Sequence, residues 1–176
     1  TLDPYDNLTV STTYKTRVTT GVKDAAGNAL SGQYETSNGF TTSGGEVFKP
    51  QTKAELQTAV NLWVSDNSTA LATYGEINTW DVSLITSMRE LFKDKTTFND
   101  NIGSWDLSNV TDMYKMFNNA DGFNQDLSNW DVSSVSNMYA VFRATDSFNG
   151  NISTWDVSNV NNFSGMFDSV ISFNQD

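Results

Sequence analysis

The chain has 176 residues, a net charge of −11, no cysteine and no histidine. The charge disfavours nucleic acid and anionic membrane surfaces as partners and suits basic proteins or cations. Without cysteine there are no disulfides or thiolate metal sites, and without histidine the usual general base and commonest metal ligand are missing. No apolar run is long enough to span a membrane, so direct membrane insertion is not expected.

Residues 1–43 are rich in Thr, Val, Tyr and Gly. Val10 to Thr20 reads as a strand, Val22 to Leu30 as a turn-rich connection, and Tyr34 to Thr42 as a closing strand. The stretch STTYKTRVTTGVKDAAGNALSGQY followed by GFTT resembles the C-terminal portion of a bacterial Ig-like domain. Such a sandwich takes about seven strands, so this is a partial β segment. A linker is expected over 44–49, around Ser43-Gly-Gly45. The chain opens inside a strand-like segment, so any leader is expected upstream or already removed.

Residues 50–75 read as a helical N-terminal cap. Thr52 and Glu55 form a capping box. Leu56, Ala59, Val60 and Trp63 then follow at helical spacing and predict an amphipathic helix over 53–65. A second short helix is expected from Ser68 to Tyr74, ended by Gly75. Its expected role is to shield the first repeat, because terminal repeats need covering.

Residues 76–176 hold four repeats of 25 residues, marked by Trp80, Trp105, Trp130 and Trp155. Each Trp is followed by Asp, a branched aliphatic residue and Ser. A period of this size means a solenoid in which each unit buries its apolar face on the next. Ile102, Trp105 and Leu107, with their equivalents, fit the L-x-x-L-x-L strand signature of a leucine-rich repeat. Val110, Met113, Met116 and Phe117 have helical spacing, so a short helix or 3-10 turn should follow each strand. The expected fold is therefore an α+β, leucine-rich-repeat-like solenoid with parallel strands, a helical N-cap and a partial Ig-like β segment in front. The Asn column Asn99, Asn124, Asn149 and Asn174 is expected to satisfy loop backbone groups.

The segment FNQDLSNWDVSSVSNM (123–138) resembles the BspA-type bacterial surface-protein repeat, also found in mycoplasma lipoproteins. The resemblance holds in four successive units, from about residue 49 to 176, with Leu84 in place of the usual Asn and Phe163 in place of Met. It implies a leucine-rich-repeat type of fold and a role in cell-surface attachment and host or matrix contact.

The candidate ligand or cation face is the column Asp81, Asp106, Asp131 and Asp156. Carboxylates spaced by one strand, ~4.8 Å, repel by only about 0.9 kcal/mol in water, so the column needs no ligand but would attract Ca²⁺. The preferred reading is structural, with each Asp accepting from the following Ser-Asn backbone. No metal or cofactor is expected, since no Asp-rich loop matches an EF-hand or a calcium-binding nonapeptide. The four tryptophans are expected to form a buried core ladder rather than a sugar platform. Tyr114 and Tyr139 are better candidates for exposed aromatics. Carboxylate pairs such as Asp100 and Asp126 sit on a regular surface with no insertion to form a pocket, so no catalytic residue is expected.

The expected function is that of a non-catalytic, extracellular bacterial surface-protein fragment, acting in adhesion or as a structural stalk through repeat-mediated protein contacts. The alternatives are a subunit of an extracellular filament or surface layer joined by strand complementation, and an accessory module of a carbohydrate-active enzyme. Expected partners are a protein or surface glycan, or neighbouring copies of the chain. Both ends are expected to be completed by strands from outside the 176 residues.

Overall fold

The computed structural model describes residues 47–175, together with the strand residues 13–14, 17–18, 34–35 and 40–41. The chain divides into two units, Thr1–Glu46 and Val47–Asp176. In the first, β1 (Thr13–Tyr14) pairs antiparallel with β4 (Phe40–Thr41), and β2 (Arg17–Val18) pairs antiparallel with β3 (Tyr34–Glu35). The remainder of the expected strands, the turn-rich connection and the linker at Ser43-Gly-Gly45 lie outside the described residues.

The second unit begins with two helices. Helix α1 spans Lys53–Ser65, and the Glu55 N–H donates to Thr52 Oγ1 at 3.2 Å. Glu55 Oε2 reaches back one residue further than the cap itself, to the N–H of Gln51 at 2.7 Å. One orphan donor at the helix start is thereby satisfied, together with the N–H just before the cap. Leu56, Ala59, Val60 and Trp63 are buried, as an amphipathic stripe requires. Helix α2 spans Asn67–Tyr74 and ends at Gly75, whose φ of 72° is the left-handed conformation that glycine adopts without strain.

Beyond the helices the structure corrects the expected fold. Among the described residues of this unit there is no β-strand, and the only further helical element is one 3-10 turn, Ile77–Thr79. It is not a leucine-rich-repeat-like solenoid of parallel strands and short helices. Where the strand was expected, the chain makes successive tight turns: the Trp105 N–H bonds the Ile102 carbonyl, and the Val110 N–H bonds the Leu107 carbonyl. The cause lies in the residues between the apolar positions. Asp106 captures the Ser108 N–H with its side chain, an Asx turn that diverts the backbone from a ladder. Parallel pairing between repeats shrinks to single bridges, Ser87 with Asp112, Asp112 with Asn137, and Asn137 with Asn162.

The segment expected to be helical is instead a polar lattice. The N–H groups of Met88, Glu90, Phe92 and Asp94 donate to the carbonyls of Asp112, Tyr114, Met116 and Asn118 in the next repeat, at 2.8–2.9 Å. Met113, Lys115, Phe117 and Asn119 repeat this towards the third unit, and Met138, Ala140, Phe142 and Ala144 towards the fourth. The alternate N–H groups fold back within their own unit, as Leu91 does to Met88 and Lys93 to Glu90. Two positions per unit take positive φ to achieve this: Glu90, Lys115, Ala140 and Gly165 at one, Asp94, Asn119, Ala144 and Ser169 at the other. A right-handed helix cannot contain such residues.

The core is a set of aromatic columns. Phe92, Phe117, Phe142 and Phe167 stack with ring centroids 5.3, 5.5 and 5.8 Å apart. Phe98, Phe123, Phe148 and Phe173 form a second column at 5.8, 6.1 and 5.9 Å. Gly150 is fixed by close approach, because a Cβ there would overlap the Gln125 carbonyl oxygen. The Asn column runs between units: the Asn124 N–H bonds Asn99 Oδ1, Asn149 bonds Asn124, and Asn174 bonds Asn149, at 2.8–2.9 Å. A second amide column explains one departure from the repeat pattern. Asn109 and Asn159 donate to Ser83 and Ser133 carbonyls one repeat earlier. The first unit has no repeat before it, and its equivalent residue is the exposed Leu84.

Phe117 contacts Phe92, Phe123, Phe142 and Trp130. Phe117→Ala is expected to lower unfolding free energy by about 3–5 kcal/mol, measured by urea denaturation. Ala144→Gly should act in the opposite sense. Its φ is 52°, and relief of that strain, less the entropy of glycine, leaves a gain of up to about 1 kcal/mol. A marked loss on Ala144→Gly would contradict the left-handed geometry.

Candidate functional site

The carboxylates of the expected cation face are placed by turns. Asp81 Oδ1 accepts from the Ser83 N–H and hydroxyl at 3.1 and 2.6 Å, and Asp131 Oδ1 from the same groups of Ser133 at 3.0 and 2.6 Å. Asp106 accepts from the Ser108 N–H, and Asp156 from the Ser158 N–H, both at 3.0 Å. One oxygen of every carboxylate is thus engaged in its own unit's turn. Asp81 is also ion-paired to Lys49 at 2.7 Å. The Lys49 ammonium, then the Ser83 hydroxyl and N–H, hold its carboxyl at about 2. The Ser133 hydroxyl and N–H depress Asp131. Ser158 does the same for Asp156, opposed in part by the charge of Asp131. Among the described residues, no group of three or more Asp or Glu side chains is arranged to hold a metal ion.

The tryptophans lie inside. Trp80, Trp105 and Trp130 are 2–3% exposed, and Trp155 is half-buried. Each indole N–H has a backbone acceptor: Gly75 for Trp80, Ile77 for Trp105, Ile102 for Trp130 and Leu127 for Trp155, at 2.8–3.2 Å. Trp80 stacks on Trp105 and Trp130 on Trp155. Asp100, one of the weighed carboxylates, accepts from the Trp63 indole at 2.9 Å. It borders an open cleft of about 330 Å³ shared with Val64, Leu71, Glu76 and Thr97.

Sequence reasoning did not assemble one surface feature. Tyr114 and Tyr139 stack at 5.1 Å with planes 12° apart. The Arg89 guanidinium covers the other face of Tyr114 at 4.1 Å while bonding Asp112 at 2.9 Å. Lys115 lies beside both rings, 5.1 and 5.9 Å from their centroids. The available signal was the 25-residue spacing from Arg89 to Tyr114 to Tyr139, a cation followed by two aromatics on one column.

These features define a repeat protein whose regular positions are occupied by stacking. The chain belongs to the family described as Mycoplasma protein of unknown function, DUF285, whose model matches residues 53–176. Residues 1–42 match the bacterial Ig-like domain family. Both families fit a bacterial surface protein, and neither is enzymatic. No curated protein and no solved structure matches the chain.

The depressed carboxyl of Asp81 has a pH signature. Its folded-state value, about 2, lies below the ordinary ~4. The associated stability is therefore present above about pH 4 and lost as pH falls towards 2. Lys49→Met should flatten this part of the curve of melting temperature against pH relative to the unaltered chain. Parallel curves would show that the Lys49–Asp81 pair does not form.

Proposed function

We propose that the chain is the extracellular part of a bacterial surface protein, non-catalytic, acting in adhesion or as a structural stalk through protein contacts made by its repeats. The observation that carries this reading is the family membership combined with four units of one length and no insertion. The BspA-type repeat pattern supports the surface role, and the Ig-like match in front is the kind of module that such proteins carry. The net charge of −11 favours basic partners. The Asp column is read as structural and the Trp column as core.

A second reading is end-to-end assembly into a filament or surface layer. It is favoured by the one-way row of hydrogen bonds between units, whose carbonyls face the helices and whose N–H groups face the fourth unit. At the other end, Gln57 of α1 covers the Leu91 carbonyl. A second copy could join head to tail only by opening that contact.

Three measurements test these readings. Protease treatment of intact source cells should remove the chain, and complete protection until lysis would overturn a surface location. In sedimentation, a monomer at all concentrations supports the stalk or adhesin, whereas concentration-dependent linear polymers support the filament. Millimolar Ca²⁺ should leave the melting temperature unchanged, and a rise abolished by Asp106→Asn with Asp131→Asn would assign the Asp column to calcium.

A further inference from the structure

Arg89, Tyr114, Tyr139 and Ser164 occupy one position in four successive units. The first three build a stack of flat groups, with Arg89 4.1 Å from the Tyr114 ring and Tyr114 5.1 Å from Tyr139. The stack stops at Tyr139. The fourth unit supplies Ser164 where the others supply a flat side chain, and Gly165 where they supply Glu90, Lys115 and Ala140. Ser164 and Gly165 are both exposed. A Cβ at Gly165 would meet only Asp168 Cβ and Ala140 Cβ, at 3.9 and 4.0 Å, so the position is open. Asp168, at the edge of this opening, is paired with Arg143 at 2.9 Å. The outcome is a step in the surface. It lies between Tyr139, which is half-buried, and the exposed Ser164 and Gly165, and Asp168 beside Gly165 carries the ion pair to Arg143.

We propose that this step is a carbohydrate subsite, in which a pyranose ring stacks on the Tyr139 ring. A ring in this place continues the column at the spacing the protein already uses. The negative face of the phenol attracts the slightly positive C–H groups of a sugar face, the same quadrupole that orders aromatic pairs. Sugar hydroxyls both donate and accept, and the step offers both: guanidinium N–H groups from Arg143, carboxylate oxygen from Asp168, and a hydroxyl from Ser164. A purely apolar ligand would leave these groups unused, and a polyanion would meet the net charge of −11. The subsite adds a ligand class to the protein contacts proposed above and does not depend on them.

The test is an NMR titration of the whole chain with the methyl glycosides of glucose, galactose, mannose and N-acetylglucosamine. Saturable shifts are expected at the Tyr139 ring and the Ser164, Gly165 and Asp168 amides for at least one of them. Tyr139→Ala should weaken that binding about tenfold. Ser164→Tyr should abolish it without lowering the melting temperature, because the same column already carries tyrosine in two units and the new ring would occupy the step. Should Ser164→Tyr fail to fold, Gly165→Lys serves instead, since Lys115 occupies that position at positive φ. Absence of shifts with all four sugars, shifts located elsewhere, or full binding by a folded step-filling variant would overturn the proposal.

Discussion

The structure depends on one row of backbone hydrogen bonds that all point the same way. From Met88 to Ala144, every second N–H in the turn segment donates to a carbonyl of the next repeat, and most of the groups between bond within their own unit. The repeat length follows from this. Donor and acceptor stay matched over four units only if each unit contributes the same number of residues, which is why the 25-residue spacing never slips. A slip of one residue would bring N–H against N–H and leave buried backbone groups unpaired. The row also gives the stack a direction, with carbonyls facing the helices and N–H groups facing the last unit. That asymmetry explains why Gln57 of α1, a side-chain amide donor, meets the first unit at the Leu91 carbonyl.

Hydrogen bonding does not by itself account for stability. Each non-glycine residue in the left-handed region costs roughly 1–2 kcal/mol, and each hydrogen bond returns about 0.5–1.5 kcal/mol net. The two left-handed residues of a unit therefore offset part of what its hydrogen bonds return. The surplus comes from the apolar columns, since each fully buried Phe contributes about 1.5–3 kcal/mol, and a unit supplies two of them besides Trp and Met. The lattice therefore sets the geometry and the aromatics make it stable. The burial pattern agrees with this division. Phe117 and Phe123, with neighbours on both sides, are fully buried, whereas their last-unit equivalents Phe167 and Phe173 are only partly buried.

The capping box at Thr52, the stripe Leu56–Ala59–Val60–Trp63 and the stop at Gly75 were legible in the sequence, because helix signals are local. The apolar columns were legible too, since a fixed period needs no knowledge of the backbone between its marks. The backbone itself was misread. The spacing Ile102, Trp105, Leu107 fits a strand, yet three turns closed by Asp106 and its neighbours present the same residues inward. The left-handed positions gave no warning, because Glu90, Lys115 and Ala140 are residues that ordinarily avoid them. Their conformation is imposed by stacking, a tertiary effect that local propensity does not register. At the candidate site, Tyr114 and Tyr139 were recognisable as exposed aromatics. Their alignment with Arg89, and the gap opposite Ser164, emerge only when the units are superposed in register.

That register offers a way to separate scaffold from function within a single chain. Positions identical in all four units are explained by contacts between or within units: the Trp indoles bond backbone carbonyls, the Asn side chains bond the next backbone N–H, and the Asp carboxylates close turns. The Asp column repeats because every unit closes the same turn. Positions that change from unit to unit are released from that duty. Arg89, Tyr114, Tyr139 and Ser164 form one such column, and Lys93, Asn118, Arg143 and Asp168 form another four residues along. The step at Tyr139 lies where these two columns meet on the fourth unit, joined by the Arg143–Asp168 pair. Recognition by a regular stack has to come from its irregular columns, because a surface that repeats every 25 residues presents the same groups at each level and cannot single out one place to bind.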